Sequence, residues 1–403
     1  MRIVFIHQHF YPEESGTAKS CTEMAWYFAS RNHNVTVITE FPNRNFESVV
    51  DSKNELKQVD VYKGITIHRL KNKFQYTSNK VSRISAYLMF TFTSFLYALK
   101  LKNYFDICIT IQALPSAIPC VLLQKLNKTP HHFYCTDMMP DLGIVSGMVN
   151  NKFIIKLFRI VEKLVYNNST AVYAVTPLMA ENIKEKSSNE NIFVLSDWVD
   201  VELFNENRYK YVSYLKNTYD LNRKKVILYI GNIGFLQNLR TVVEVAKRMD
   251  GNEKYSEYIF VIGGAGAQKA ELENECKKNG LKNIRFIGVV DRQHVPSFLE
   301  LSSCTLMNFV DHPHMALYRS SKIFDYIMAE KPVIVGATGE LAKIVEENNL
   351  GVVACPSDPE DFYNKLIKLI ATKYEINNEH LIKKYSRDNV LSEFYKKIQC
   401  PNE

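Results

Sequence analysis

Ser320-Ser321-Lys322-Ile323-Phe324-Asp325-Tyr326-Ile327-Met328-Ala329-Glu330-Lys331-Pro332-Val333-Ile334 reads as a helix entered through two hydroxyl residues and stopped by a proline that opens a strand. The start of a helix presents unpaired N–H groups and positive dipole, which suits a phosphate. One turn further in, Asp325 stands where a carboxylate accepts hydrogen bonds from sugar hydroxyls. A plain acid on the helix surface is the alternative reading.

The same alternation of helix and strand extends in both directions. Strand-like apolar runs fall at Ile3–Ile6, Val35–Thr39, Ile107–Ile111, His132–Cys135, Ala171–Val175 and Ile192–Leu195. A second series runs Val226–Ile230, Tyr258–Ile262, Ile284–Ile287, Cys304–Phe309, Pro332–Val335 and Val352–Ala354. Strands separated by helical pattern predict parallel sheets with right-handed crossovers. A chain of 403 residues exceeds one ordinary core, so the two series predict two Rossmann-like domains. The break falls in the polar, Tyr- and Asn-rich stretch Asn205–Arg223, giving domains 1–205 and 206–403.

The bulk composition is that of a globular protein, 46% hydrophobic and 23% charged. Residues 1–200 hold 22 Lys/Arg against 17 Asp/Glu, and the remainder 28 against 26, so the basic excess lies in the first half. That favours an anionic membrane or a pyrophosphate-bearing ligand, with ordinary surface lysines as the plain alternative. The eight cysteines form no C-x-x-C, and several sit in apolar runs. They are expected to be buried thiols of a reducing compartment. Met1 leads directly into a strand, so a cytoplasmic chain without a secretory signal is expected.

Four further stretches carry candidate chemistry. The turn His9–Ala18 places Gly16 after the first strand, where a glycine lets backbone approach a ligand closely. Tyr229-Ile230-Gly231-Asn232-Ile233-Gly234 ends the first strand of the second domain in a glycine turn. Gly231 and Gly234 are expected to turn their N–H groups toward a phosphate, or else to form a purely structural turn. Ile262-Gly263-Gly264-Ala265-Gly266 is a partial dinucleotide fingerprint whose third glycine is replaced by Lys269, which is weak evidence for a nicotinamide cofactor. Asp137 follows an apolar strand and can orient or deprotonate a hydroxyl, or serve as a helix cap. No Walker A, H-x-x-x-H or G-x-S-x-G sequence is present, which argues against a phosphate-loop ATPase or a metal hydrolase.

Taken in order, these motifs resemble the retaining glycosyltransferases of the two-Rossmann type, the large family four. Tyr11 to Ala18 is similar to that family's Y-x-P-E-x-G-x-A, and Tyr229 to Leu239 to its Y-x-G-N-hydrophobic-G-x-x-Q-G-L, with Asn238 in place of a glycine. Ser320 to Ile334 resembles P-S-K-hydrophobic-aromatic-E-Y-hydrophobic-A-x-G-x-P-V-hydrophobic of the capsule and O-antigen branch, similar to N-acetyl-L-fucosaminyl transferases. Ser320, Asp325 and Glu330 replace that pattern's proline, glutamate and glycine.

The resemblance implies an α/β GT-B fold, two Rossmann-like domains facing a central cleft, with the final helix crossing back onto the first domain. It implies donor contacts from Gly231, Asn232, Gly234, Gly288, Arg319, Ser321, Lys322, Asp325, Gly339 and Glu340, and catalytic roles for Asp137 and Gly16. It implies a UDP-sugar donor, with UDP-N-acetyl-L-fucosamine one candidate, and no cofactor or metal. The implied acceptor is a polyprenyl-pyrophosphate-linked sugar at the inner face of a bacterial membrane, with no nucleic acid partner. Many members carry an Arg and a Lys in the glycine loop and a glutamate where this chain has Leu317, so His312 and His314 become candidates for sugar recognition. A UDP-sugar 2-epimerase of the same fold and a non-catalytic nucleotide-sugar-binding partner are the alternatives.

Two segments bear on a membrane. Ile84–Leu99 is uncharged but shorter than a spanning helix requires, so a buried or interfacial helix is expected. Lys152, Lys156, Arg159 and Lys163 recur at helical spacing among apolar residues, as in a basic helix lying on a membrane or an ordinary surface helix.

Overall fold

The computed structural model describes residues 1–13, 16–42, 57–72, 80–101, 105–112 and 114–399. The chain divides into two compact units, 1–195 with 391–403, and 196–390.

The first unit runs β1 (Arg2–Ile6), α1 (Thr17–Ala29), β2 (Asn34–Glu40), β3 (Lys57–Tyr62), β4 (Ile65–Leu70), α2 (Lys80–Lys100), β5 (Ile107–Ile111), α3 (Leu114–Asn127), β6 (His131–Cys135), α4 (Asp141–Val145), α5 (Lys152–Asn168), β7 (Ala171–Ala174), α6 (Pro177–Lys186) and β8 (Ile192–Val194). Its sheet order is β3-β4-β2-β1-β5-β6-β7-β8. The central strands are buried on both faces, which is why they read as continuous apolar runs. β3 is the exception: it pairs antiparallel with β4 at the sheet edge, alternates half-buried with exposed residues, and was not legible as a strand. Right-handed crossovers put α2, α3 and α5 on one side of this sheet, because β4→β5, β5→β6 and β6→β7 all step the same way.

The second unit runs α7 (Val201–Asn207), α8 (Val212–Thr218), β9 (Lys225–Ile230), α9 (Arg240–Met249), β10 (Tyr258–Gly263), α10 (Lys269–Lys278), β11 (Ile284–Gly288), α11 (Val295–Leu301), β12 (Ser302–Asn308), α12 (Lys322–Ala329), β13 (Val333–Gly336), α13 (Gly339–Glu347), β14 (Gly351–Ala354), α14 (Pro359–Ala371), α15 (Glu379–Tyr385) and α16 (Arg387–Gln399). Its parallel sheet has the order β11-β10-β9-β12-β13-β14. Two buried apolar clusters fill it.

The boundary expected at 205/206 lies inside this second unit. The reason is local packing. Phe204 on α7 is buried in the second unit's core, and the Ser297 hydroxyl donates to the Asn207 carbonyl at 2.5 Å. Asp200 caps α7 by accepting from the Leu203 N–H and pairs with Arg292 at 3.1 Å. The last helix leaves the second unit at Val390, and residues 391–403 cluster with the first. Phe394 is fully buried there, edge-on to Tyr173 at 4.7 Å and beside Phe28 at 6.1 Å.

Cys108 on β5 and Cys120 on α3 are joined as a disulfide, which corrects the expectation of thiols throughout. The crossover brings α3 back over β5 and sets their Cα atoms 6.0 Å apart, a neighbourhood that sequence spacing does not announce. Cys21, Cys135, Cys276 and Cys304 are buried thiols, Cys355 is exposed, and Cys400 lies outside the described residues. No described helix is long and apolar enough to cross a membrane.

Candidate functional site

In the second unit, β9 ends at Ile230 and the chain turns through Gly231, Asn232 and Gly234. The N–H groups expected to face a phosphate are engaged within the domain. Gly231 donates to the Gly263 carbonyl at 2.9 Å, and Gly234 donates to the side-chain oxygen of Gln237 at 3.2 Å. The glycines serve space instead. A Cβ on Gly231 would stand 1.9 Å from Cε of Lys322, so the missing side chain is the channel in which the lysine lies. A Cβ on Gly264 would stand 1.8 Å from the Gly231 carbonyl oxygen, and one on Gly266 would stand 2.2 Å from that of Ile233. The partial fingerprint therefore packs one loop backbone onto another. Asn238, standing where the resembled pattern has glycine, has φ of 39°, a left-handed conformation that asparagine tolerates. Its amide donates to the Ser357 hydroxyl at 2.9 Å.

Lys322 opens α12. It is half-buried, its ammonium stands 5.8 Å from the centre of the Tyr229 ring, and it forms no ion pair among the described residues. Burial lowers its pKa from the ordinary value, and the Asp325 charge, one turn on, opposes that shift. The Ile323 and Phe324 N–H groups bond back to the Ser320 and Ser321 carbonyls at 3.0 and 3.2 Å. This leaves the N–H groups of Ser321 and Lys322 without a partner among the described residues. One ammonium and two amides thus meet at a helix start with positive dipole, a charge pattern that fits an anionic diphosphate. Asp325 is half-buried on the same helix.

The other expected donor residues are placed variously. Arg319 donates to the Ser196 hydroxyl at 2.7 Å and stacks over the Phe324 and Tyr385 rings, each 5.3 Å away, so its guanidinium braces α12. Gly288 ends β11 with φ of 75°, a value that favours glycine, and its carbonyl accepts from the Gly264 N–H at 2.6 Å. Gly339 starts α13 against the Ala316 carbonyl, where a Cβ would come to 2.1 Å. Glu340 is buried in the first turn of α13, where the helix dipole favours a carboxylate. His312, the N-cap of the 3-10 turn Pro313–Leu317, stacks on His314 within it at 5.5 Å.

In the first unit, the candidate residues sit at the carboxyl ends of parallel strands, where open α/β sheets take their ligands. Asp137 follows β6 and accepts a hydrogen bond from the side-chain amide of Gln112, which follows β5. Gln112 was not legible in sequence as part of this pair; the two residues meet because β5 and β6 are neighbours. Gly16 is the N-cap of α1 with φ of 55° and ψ of −131°, and a Cβ there would meet nothing within 4 Å. Glu14 and Ser15 of the same motif lie outside the described residues.

A second polar group was not anticipated at all. Glu40, buried at the end of β2, accepts from the Asn72 amide at 2.6 Å and the Gln8 amide at 3.1 Å. Burial raises its carboxyl to about 7 against those two bonds.

The lysine stripe on α5 is corrected in one member. Arg159 turns inward. It pairs with Asp141 on α4 and at 3.0 Å with Glu162, both buried, and Lys186 joins Asp141 at 2.9 Å. Lys152, Lys156 and Lys163 remain exposed.

Residues 15–203 match the description "Glycosyltransferase Family 4", and residues 216–389 match "Glycosyl transferases group 1". The chain is a glycosyltransferase of the GT-B type. It is 27% identical to the putative colanic acid biosynthesis glycosyl transferase WcaI of Escherichia coli K12 over 76% of each chain. Among solved structures it is similar to Anabaena Alr3699/HepE in complex with UDP and glucose, with a TM-score of 0.72, 11% identity and 99% of both chains covered. It is also similar to sucrose-phosphate synthase from Thermosynechococcus elongatus, with a TM-score of 0.75, 14% identity and 99% and 98% covered. Both likenesses show the fold. The sequence reading of two Rossmann-like domains in a GT-B transferase is thereby established.

Two outcomes test this geometry. Gly231→Ala forces Lys322 from its channel, and thermal melts record an overpacking cost of about 1–3 kcal/mol. Glu40 titrates at 4.5 unfolded and about 7 folded, so the native state holds the proton more tightly and stability declines as pH rises between those values. Glu40→Gln removes that decline and recovers about 3 kcal/mol at pH 8, read from melts at pH 5 and pH 8.

Proposed function

We propose that this glycosyltransferase moves a sugar, with retention of configuration, from a UDP-sugar to a polyprenyl-pyrophosphate-linked sugar in capsule or O-antigen polysaccharide assembly. The observation that carries the donor half is Lys322: an ammonium laid over a glycine channel, on a helix start whose Ser321 and Lys322 amides, like the ammonium's ion-pair capacity, are unused among the described residues. UDP-bound structural neighbours support a uridine diphosphate there. Similarity to a protein named for colanic acid biosynthesis supports a polysaccharide product. UDP-N-acetyl-L-fucosamine is the first donor to screen, because the Ser320–Ile334 motif resembles that branch.

The chemistry follows from the residues. Lys322 and the Ser321 and Lys322 amides neutralise charge as the diphosphate departs, and Asp325 accepts from the ribose hydroxyls. Gly288 and its neighbours offer backbone to the base. Gly16, the N-cap of α1, stands where the helix dipole of the first unit favours an anion. Asp137, held by Gln112, orients the acceptor hydroxyl. With the leaving phosphate receiving the acceptor's proton, attack proceeds on the face the diphosphate vacates, without a protein nucleophile or a metal. The lipid-linked acceptor places the work at the inner face of the bacterial membrane.

Lys322→Ala and Asp325→Ala each weaken UDP binding, the lysine by about 2 kcal/mol for a lost charge-assisted bond; calorimetry showing wild-type affinity in both would remove the donor assignment. Asp137→Asn lowers kcat on the order of 100-fold or more with UDP affinity unchanged, in assays with a short-chain lipid-pyrophosphate sugar and EDTA present. Equal turnover would return Asp137 to a structural role, and loss of wild-type activity in EDTA would end the metal-free mechanism.

A further inference from the structure

Helices that cover a sheet normally turn their large apolar side chains toward it. Two helices of the first unit also turn large apolar side chains outward. On α2 the exposed positions recur every four residues as Leu88 (63% exposed), Phe92 (61%) and Leu96 (44%), ending at Lys100. The buried positions in between are the smaller Ala86, Ser94 and Ala98, with Phe90 among them. On α5 the outward stripe is Phe153 (75%), Leu157 (52%), Ile160 (57%) and Leu164 (36%), while the buried side carries Glu162, Val165 and Tyr166. The two helices lie on the same side of the sheet, and α3 packs against both.

The exposed charges on these two helices and on α3 between them have one sign. α2 and α3 contain no Asp or Glu, and the one acid of α5, Glu162, is buried and held by Arg159. Lys100, Lys125, Lys152, Lys156 and Lys163 are exposed and form no ion pair among the described residues.

We infer that α2 and α5 together form a docking face for an anionic lipid bilayer, with the Phe and Leu side chains entering the headgroup–acyl boundary and the lysines resting on phosphates. This deepens the membrane partner named above and rests on that part of the reading alone. Large apolar residues framed by long cations, whose stems reach along apolar surface, match an interfacial helix pair. A second copy of this chain is a poor occupant. A two-fold contact through this face sets lysines against lysines with no acid to answer them. Neither helix spans, so the protein lies on the bilayer rather than in it.

The test uses the full chain with vesicles of phosphatidylglycerol and phosphatidylcholine, or of phosphatidylcholine alone. Lys152→Gln, Lys156→Gln and Lys163→Gln combined lower partition onto the anionic vesicles on the order of 100-fold at low salt. Phe92→Trp and Phe153→Trp, made separately, are both quenched by brominated lipid. Quenching at neither position, or at only one, overturns the two-helix face. So does a concentration-dependent dimer of the free protein that Phe92→Ser and Leu157→Ser abolish while vesicle binding persists. UDP calorimetry and thermal melts on every variant keep the outcomes separate: a variant that binds UDP normally and leaves the vesicles fails nothing in the donor site, and a protein that binds vesicles but not UDP fails only the donor assignment.

Discussion

The contact on which the second domain's loop packing depends is a lysine side chain lying where a glycine has none. Lys322 occupies the space that any Cβ at Gly231 would fill, and Gly231 in turn presses its carbonyl to within 1.8 Å of the point where a Gly264 Cβ would stand. Three pieces of chain therefore fit together only because two residues lack side chains. That crowding holds the ammonium half out of water at the entry of α12, where its lowered pKa records the cost. A half-buried cation that forms no ion pair among the described residues is held at a disadvantage that an anion relieves.

The first domain uses a different device. Its candidate groups stand at the ends of adjacent parallel strands, and each is fixed by an amide from a neighbour: Asp137 by Gln112, and Glu40 by Gln8 and Asn72. Asp137 is half exposed to water, whereas Glu40 is enclosed and holds its proton up to about 7. Behind them, Arg159 and Lys186 neutralise Asp141 and Glu162 beneath α5. This arrangement removes both acids from the surface and leaves the outer side of the helix basic and apolar.

The amino-acid sequence by itself determined the class of fold. Apolar strand runs separated by helices can bury their backbone only in covered parallel sheets, so two domains of this kind followed, as did the placement of Asp137, Gly231 and Lys322 at the ends of strands or the starts of helices. Local pattern did not reach β3, whose half-exposed alternation carries too little apolar signal, or the exact place where one unit gives way to the other, which is set by Phe204 and Asp200 packing into the second core. Only the tertiary structure decided which groups meet. The Cys108–Cys120 pair, the Gln112–Asp137 bond, the inward turn of Arg159 and the Lys322 channel all join residues distant in sequence or opposite in helical phase. Each depends on sheet order and on the space left by a missing side chain, and neither quantity is written in the spacing of residues along the chain.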